Sequence, residues 1–298
     1  MKMTKKFLFG AAIAALVLGL ASCNPEIGDI EWSGGELSTG SGSKQYNVNG
    51  QKNEADGTIR GMKRFDAIPR AGATCIVQIF DQNAKSSDGV AGFACFVSEN
   101  NDNLTENGKK TMNFLVSGVR YSGNKAQTYV SYYCNVDPEK LSTKNFGVDA
   151  KRDTFSETVE TPYEIIVVKD WFDFDSKKIK LDNGTLTVAI NFIGRDDGTI
   201  DIEWYSLDKK LSSGDEAAAS FDPAAHGLYL GGAQASTAQL GTQSGARKGY
   251  IYAYANIYSG KTLNAQWNLY NATWSQASAF ADEEPCDLPD AAGNIFFN

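Results

Sequence analysis

Tyr250, Tyr252, Tyr254 and Tyr258 recur at even spacing in the run YIYAYANIY. Successive side chains of a strand point to opposite faces. These tyrosines therefore share one face with Asn256, and Ile251, Ala253, Ala255 and Ile257 share the other. The aliphatic face suits a core. A tyrosine face offers flat apolar rings with hydrogen-bonding tips, a surface that can grip a sugar or a protein. It suits equally a sheet face packed beneath another layer, or cross-strand pairs that only stabilise the sheet. Trp171 opens a second run of this kind, WFDFD, with Asp173 and Asp175 two residues apart. Acids beside aromatics occur in sugar and calcium sites, and on a strand these two would point the same way. The alternative is a polar outer face over a buried aromatic one. Tyr250, Tyr252, Tyr254, Tyr258 and Trp171 are the candidate ligand-binding residues.

Catalytic chemistry has less to build on. His226 is the only histidine, and no Gly-x-Ser-x-Gly elbow accompanies it. A glycosidase needs two carboxylates across a cleft, and none of the 36 acids is marked out as a pair. Asp196-Asp197-Gly198 reads as turn chemistry. Asn100 to Asn103 (NNDN) offers oxygens without the ordered spacing of a calcium loop. Neither a phosphate loop nor a dinucleotide fingerprint is present. No catalytic residue, metal or cofactor is expected. A formal net charge of -8 argues against nucleic acid and against electrostatic docking onto anionic lipid. Beyond Cys23 there are Cys75, Cys95, Cys134 and Cys286, with no C-x-x-C pair to hold zinc. Four cysteines allow three pairings. One disulfide among the first three is expected, with buried free thiols as the alternative.

The first 22 residues read as a secretory signal, with Lys2, Lys5 and Lys6 before an apolar stretch from Phe7 to Leu20. That stretch falls short of the ~20 residues of a secure membrane span. It ends in Leu20-Ala21-Ser22-Cys23, which resembles the lipobox of bacterial lipoproteins. The resemblance implies cleavage before Cys23 and a diacylglycerol on its sulfur, so membrane lipid is the implied partner. Asn24 follows where an Asp would favour inner-membrane retention in enterobacterial lipoproteins. The implied location is the outer membrane or cell surface.

Residues 23–44 read as a flexible tether, rich in Gly and Ser. Beyond it, short β-type runs alternate with turn signals, among them Asp182-Asn183-Gly184 and Asp196-Asp197-Gly198. Helical periodicity is scarce, with one short helix expected within Gly214 to Ala225. Two stretches look alike: Asn113 to Val136 and Tyr250 to Thr273, each a β-rich run, a Tyr-Ser-Gly turn and a second β-rich run. Tyr121 and Tyr258 are 137 residues apart, and Gly92 and Gly227 are 135 apart. A near-constant offset is what tandem duplication leaves. The expected fold is all-β: two tandem antiparallel β-sandwich, jelly-roll-like domains, 45–163 and 164–298. The copies would share a scaffold and not a surface, since Leu115 and Val119 stand where Tyr252 and Asn256 stand.

Gly92 to Val97 (GFACFV) followed by a Tyr-rich hairpin resembles concanavalin-like jelly-roll sandwiches. The signal, lipobox, Gly/Ser tether and Tyr/Asn-rich β domains together resemble surface lipoproteins of treponemes or Bacteroidota. These resemblances imply a lipid-anchored envelope protein that binds a glycan, or a host or neighbouring protein, without catalysis. A carbohydrate-active hydrolase of concanavalin-like fold and a purely structural envelope lipoprotein are the alternatives.

Overall fold

The computed structural model describes residues 30–35, 45–54, 59–65, 67–68, 72–80, 89–122, 125–136, 164–208, 221–236, 249–270, 273–274 and 294–297. The signal segment, Cys23, Cys286 and most of the expected tether lie outside them. The strand signals translate directly. In chain order the strands are β1 (Trp32–Gly35), β2 (Gln45–Lys52), β3 (Ile59–Phe65), β4 (Ala67–Ile68) and β5 (Gly72–Phe80). They continue with β6 (Val90–Leu104), β7 (Lys110–Ser122), β8 (Lys125–Val136), β9 (Glu164–Asp173), β10 (Leu181–Asp182) and β11 (Thr185–Gly194). The last are β12 (Thr199–Leu207), β13 (Gly227–Ser236), β14 (Ile251–Ile257), β15 (Thr262–Tyr270), β16 (Thr273–Trp274) and β17 (Asn294–Phe297). A single turn of helix, α1 (Pro223–His226), starts at Asp222, whose carboxylate accepts the Ala224 amide.

Two large antiparallel sheets result, and β4 and β16 pair in a small third. An eight-stranded sheet runs β1-β2-β15-β5-β11-β12-β13, with β10 beside β11, and a seven-stranded sheet runs β17-β3-β14-β6-β7-β8-β9. The fold is an all-β sandwich. Alternation places Cys75, Val77, Ile79, Val188, Ile190, Trp204 and Trp267 of the first sheet inward against Phe93, Leu115, Val119, Val130, Ala253 and Ala255 of the second, in one shared core.

The division at 163/164 does not appear in the pairing. β5 lies between β15 and β11, and β14 lies between β3 and β6, so strands from both halves alternate within each sheet. The described strands make one sandwich. The two look-alike stretches also part company. β7 and β8 pair as a hairpin within the seven-stranded sheet. β14 belongs to that sheet too, but β15 belongs to the other. The Tyr258-Ser259-Gly260 turn therefore crosses between sheets. Asn53, buried at the end of β2, organises the crossing: its side-chain amide donates to the Ile257 carbonyl at 2.8 Å. Its backbone amide donates to the Lys261 carbonyl, and its carbonyl accepts from the Gly260 amide. Gly92 and Gly227 likewise fall on different sheets, β6 in one and β13 at the edge of the other.

Part of the expected tether also belongs to the fold. Ile30 is buried, and β1 pairs with β2. Trp32 packs its ring against Trp267 at 5.0 Å. Burying two apolar side chains outweighs the flexibility that the neighbouring glycines offer.

Buried polar tips stitch the sheets across the core. Trp267 Nε1 donates to the Gly92 carbonyl at 2.9 Å. Trp204 Nε1 donates to Ser117 Oγ at 3.1 Å. The Tyr132 hydroxyl donates to the Ser236 carbonyl at 2.9 Å and the Tyr46 hydroxyl to the Arg64 carbonyl at 2.7 Å. Each bond satisfies a group that would be costly to bury alone.

Candidate functional site

The outer face of the seven-stranded sheet, the one turned away from the shared core, gathers the sequence candidates. Register places Asn256, Val90, Arg120, Gln127 and Asp173 in one row across five strands. The next row holds Tyr254, Gly92, Gly118 and Tyr129. Trp171 follows on β9, at a bulge, with its ring 4.5 Å from that of Tyr129 in edge contact. A third row holds Tyr252, Ala94, Val116, Ser131 and Val167. Trp171 and the tyrosine stripe thus lie on one face of one sheet.

They are not equally open. Tyr252 and Tyr254 are 1% and 2% exposed, in a second core with Met62, Val90, Val97, Phe114 and Val116. This corrects the expectation of a four-tyrosine platform. β14 is an interior strand, and both of its faces are covered, so the middle of the stripe is packing. Its two ends differ. Tyr250 is half-buried beneath Arg64, whose guanidinium lies 4.7 Å from the ring centre, and Tyr258 is half-buried at the crossing turn.

The accessible part is the Trp171 corner. The Arg120 guanidinium stacks on the Trp171 ring at 4.4 Å. Arg120 Nε donates to Gln127 Oε1 at 2.7 Å, and Gln127 Nε2 donates to Asp173 Oδ1 at 2.5 Å. Lys125 Nζ reaches Asp173 Oδ2 at 3.4 Å. The Gln127 amide, then Lys125 and Arg120, hold the Asp173 carboxyl below its ordinary value, so it is an ionised acceptor. The corner thus presents a half-buried indole, a guanidinium, an oriented amide and an exposed carboxylate. On the same face, the buried Asn256 Oδ1 and Ser131 Oγ have no hydrogen-bond partner among the described residues.

Arg120, Gln127 and Tyr129 were not singled out by sequence. The signal was there: a hairpin pairing Ser122 with Lys125 must set Arg120 opposite Gln127. Asp175 does not join Asp173. β9 ends at Asp173, and Asp175 instead accepts the Lys177 amide in a turn. Asp197 accepts the Thr199 amide and hydroxyl, the turn role expected of it. Asn100 donates to the Asn135 side chain. His226 is exposed and stacks on Phe221 at 5.3 Å.

A pair of acids not foreseen lies on the outer face of the other sheet, Asp201 and Glu203 of β12. Asp201 is engaged by Arg195 and by Gln234, which, the Gln234 amide first, lower its pKa. Glu203 accepts the Tyr205 hydroxyl at 2.8 Å, and burial with this acceptor pushes the phenol up to about 12. A glycosidase general acid needs a carboxyl held protonated by its surroundings. The shifts resolved for described carboxyls, at Asp173, Asp197 and Asp201, are all downward.

No family model matches the chain, and no curated protein matches it. Among solved structures, it is similar to the exoplasmic/lumenal domain of VIP36 in a Ca2+/Man3GlcNAc-bound form, at 8% identity and a TM-score of 0.31, over 85% of this chain and 88% of that one. A lectin from Bauhinia forficata in complex with GalNAc matches at 9% identity and a TM-score of 0.27, over 86% and 96%. A legume lectin-like domain from Entamoeba histolytica matches at 10% identity and a TM-score of 0.26, over 80% and 87%. At TM-scores of 0.26 to 0.31 these likenesses carry no argument about ligand, and the sandwich rests on its own strand pairing.

Proposed function

We propose that the protein is a non-enzymatic glycan-binding module, held at the cell envelope by acyl chains on Cys23. One observation carries the binding role: the Trp171 corner sets an indole beside a line of guanidinium, amide and carboxylate, Arg120 to Gln127 to Asp173. A sugar needs both parts. Its C–H face packs on an aromatic ring, and its hydroxyls need donors and acceptors fixed in place. The amide of Gln127 is oriented from both sides, so little freedom is lost when a ligand binds. The anchor and the outer-membrane or surface location are supported by Leu20-Ala21-Ser22-Cys23 alone.

Two experiments test this reading. A glycan array probed with the purified protein should retain a defined set of saccharides. Retention of protein ligands only, with every saccharide washing off, would replace glycan by protein as the ligand class. Metabolic labelling with a palmitate analogue should mark the wild-type chain and leave Cys23→Ala unlabelled. Equal labelling of both removes the anchor at Cys23.

A further inference from the structure

We propose that Cys75 and Cys95 close a disulfide through the middle of the core, joining the two sheets covalently. Cys75 is on β5, interior to the eight-stranded sheet, and Cys95 is on β6, interior to the seven-stranded sheet. In the structure Cys75, Cys95 and Cys134 are all free, buried thiols, the alternative to the expected disulfide, and Cys75 and Cys95 are fully buried and both point into the shared core.

Cross-sheet contacts on either side fix how the two strands face each other. Trp267 pairs with Val77 of β5 and bonds the Gly92 carbonyl of β6. Phe192 pairs with Ala73 of β5 and packs edge-on against Phe96 of β6 at 6.2 Å. As β5 runs from Val77 to Ala73, β6 runs opposite it from Gly92 to Phe96. Cys75 and Cys95 fall between these two ties, and Cys95 is the neighbouring group that acts on the Cys75 thiol.

A bulge after Cys95 sharpens the aim. The register of β6 on β7 shifts between Cys95 and Ser98, and Phe96 takes a φ of 57°. A bulky residue with positive φ is strained and persists only where its surroundings hold it. Consecutive residues Cys95 and Phe96 both reach the core as a result.

The geometry also selects against the third thiol. Cys134 is on β8, in the same sheet as Cys95, with β7 between them. Two strand spacings put their backbones about 9–10 Å apart. A disulfide needs Cα atoms within about 7 Å.

The chemistry is thiol–disulfide exchange with a small or protein disulfide as oxidant. One cysteine thiolate attacks the oxidant, forming a mixed disulfide and releasing a thiol. The second cysteine thiolate attacks the mixed disulfide, forming Cys75–Cys95 and releasing a second thiol. Two protons leave the cysteines, and two electrons reduce the oxidant. Burial, and then the neighbouring Cys95, push the Cys75 thiol well above its ordinary value. The thiolate is therefore available before the core closes, and the bond forms during folding.

The test is to fold the full chain in oxidised or reduced glutathione, denature it, alkylate free thiols and map the peptides by mass spectrometry. In the oxidised sample Cys75 and Cys95 should resist alkylation and appear in one cross-linked peptide pair, with a higher denaturant midpoint than the reduced sample. Cys75→Ala should leave Cys95 open to alkylation, and Cys95→Ala should do the same for Cys75. Alkylation of both in the oxidised wild type, or a link from either to Cys134 or Cys286, overturns the proposal. The wild-type map decides the matter even if a variant fails to fold.

Discussion

Trp171 and Tyr254 stand at opposite ends of one row on the same sheet face, and their fates under substitution should differ. Trp171 is half-buried at the edge of the row, held by Arg120 on its ring and Tyr129 at its edge. Removing it takes away contact surface that a ligand would share, and interface anchors of this type carry ≥ ~2 kcal/mol. Tyr254 is 2% exposed among Met62, Val90 and Tyr129. Tyr254→Ser should cost about 3–5 kcal/mol of stability, in line with other large-to-small core changes. Denaturant titration checks this, and an unchanged midpoint would show that the stripe is surface after all. The period-two alternation of Tyr250 to Tyr258 was legible, and it sorted the residues onto the right faces. It could not say whether the tyrosine face was open, because an open face and a covered one have the same period. Arg120 and Gln127 were hidden for another reason: neither is unusual alone, and only cross-strand register makes them neighbours of Asp173.

At the scale of elements, Asn53 braces the point where the chain passes from one sheet to the other. Without it, β14, the Tyr258-Ser259-Gly260 turn and β15 have the pattern of a hairpin. With it, the Ile257 carbonyl and the turn backbone are satisfied from β2, and the chain leaves one sheet for the other. Asn53→Ala should leave the buried Ile257 carbonyl without its side-chain donor and cost about 1–3 kcal/mol. Thermal melts would register the loss, and a melt matching wild type would mean that the turn closes without this residue. The two-residue turn at Asn183-Gly184 shows what sequence reads well. Both residues have positive φ, at 48° and 79°, as a tight hairpin between β10 and β11 demands. Local turn chemistry is written locally. The sheet a strand joins is set by residues far away in the chain, as Asn53 is set 204 positions from Ile257.

For the whole molecule, interleaving has a consequence for folding. β5 pairs with β11 and β15, and β3 and β6 pair with β14, so each sheet is completed only by strands from both ends of the described chain. Segments 45–163 and 164–298 expressed separately should each fail to give a cooperative unfolding transition, while the full chain gives one. Circular dichroism melts of the three proteins test this. A cooperative melt from either half would restore a two-domain account. All-β character and the sandwich were legible from many short strands with turn signals between them. The single sandwich was not, because the resemblance between residues 113–136 and 250–273 reflects like strand composition and not like position: β7 and β8 pair within one sheet, while β14 and β15 lie in different sheets.

The central claim, that the Trp171 corner binds a glycan on a rigid sandwich, is tested most directly by titrating one array-selected saccharide into wild-type protein and Trp171→Ala, with a melt of each. A loss of about thirtyfold or more in affinity, ~2 kcal/mol, with a cooperative melt retained, is the predicted result. Equal affinity for the two proteins would contradict it and place the ligand elsewhere on the molecule.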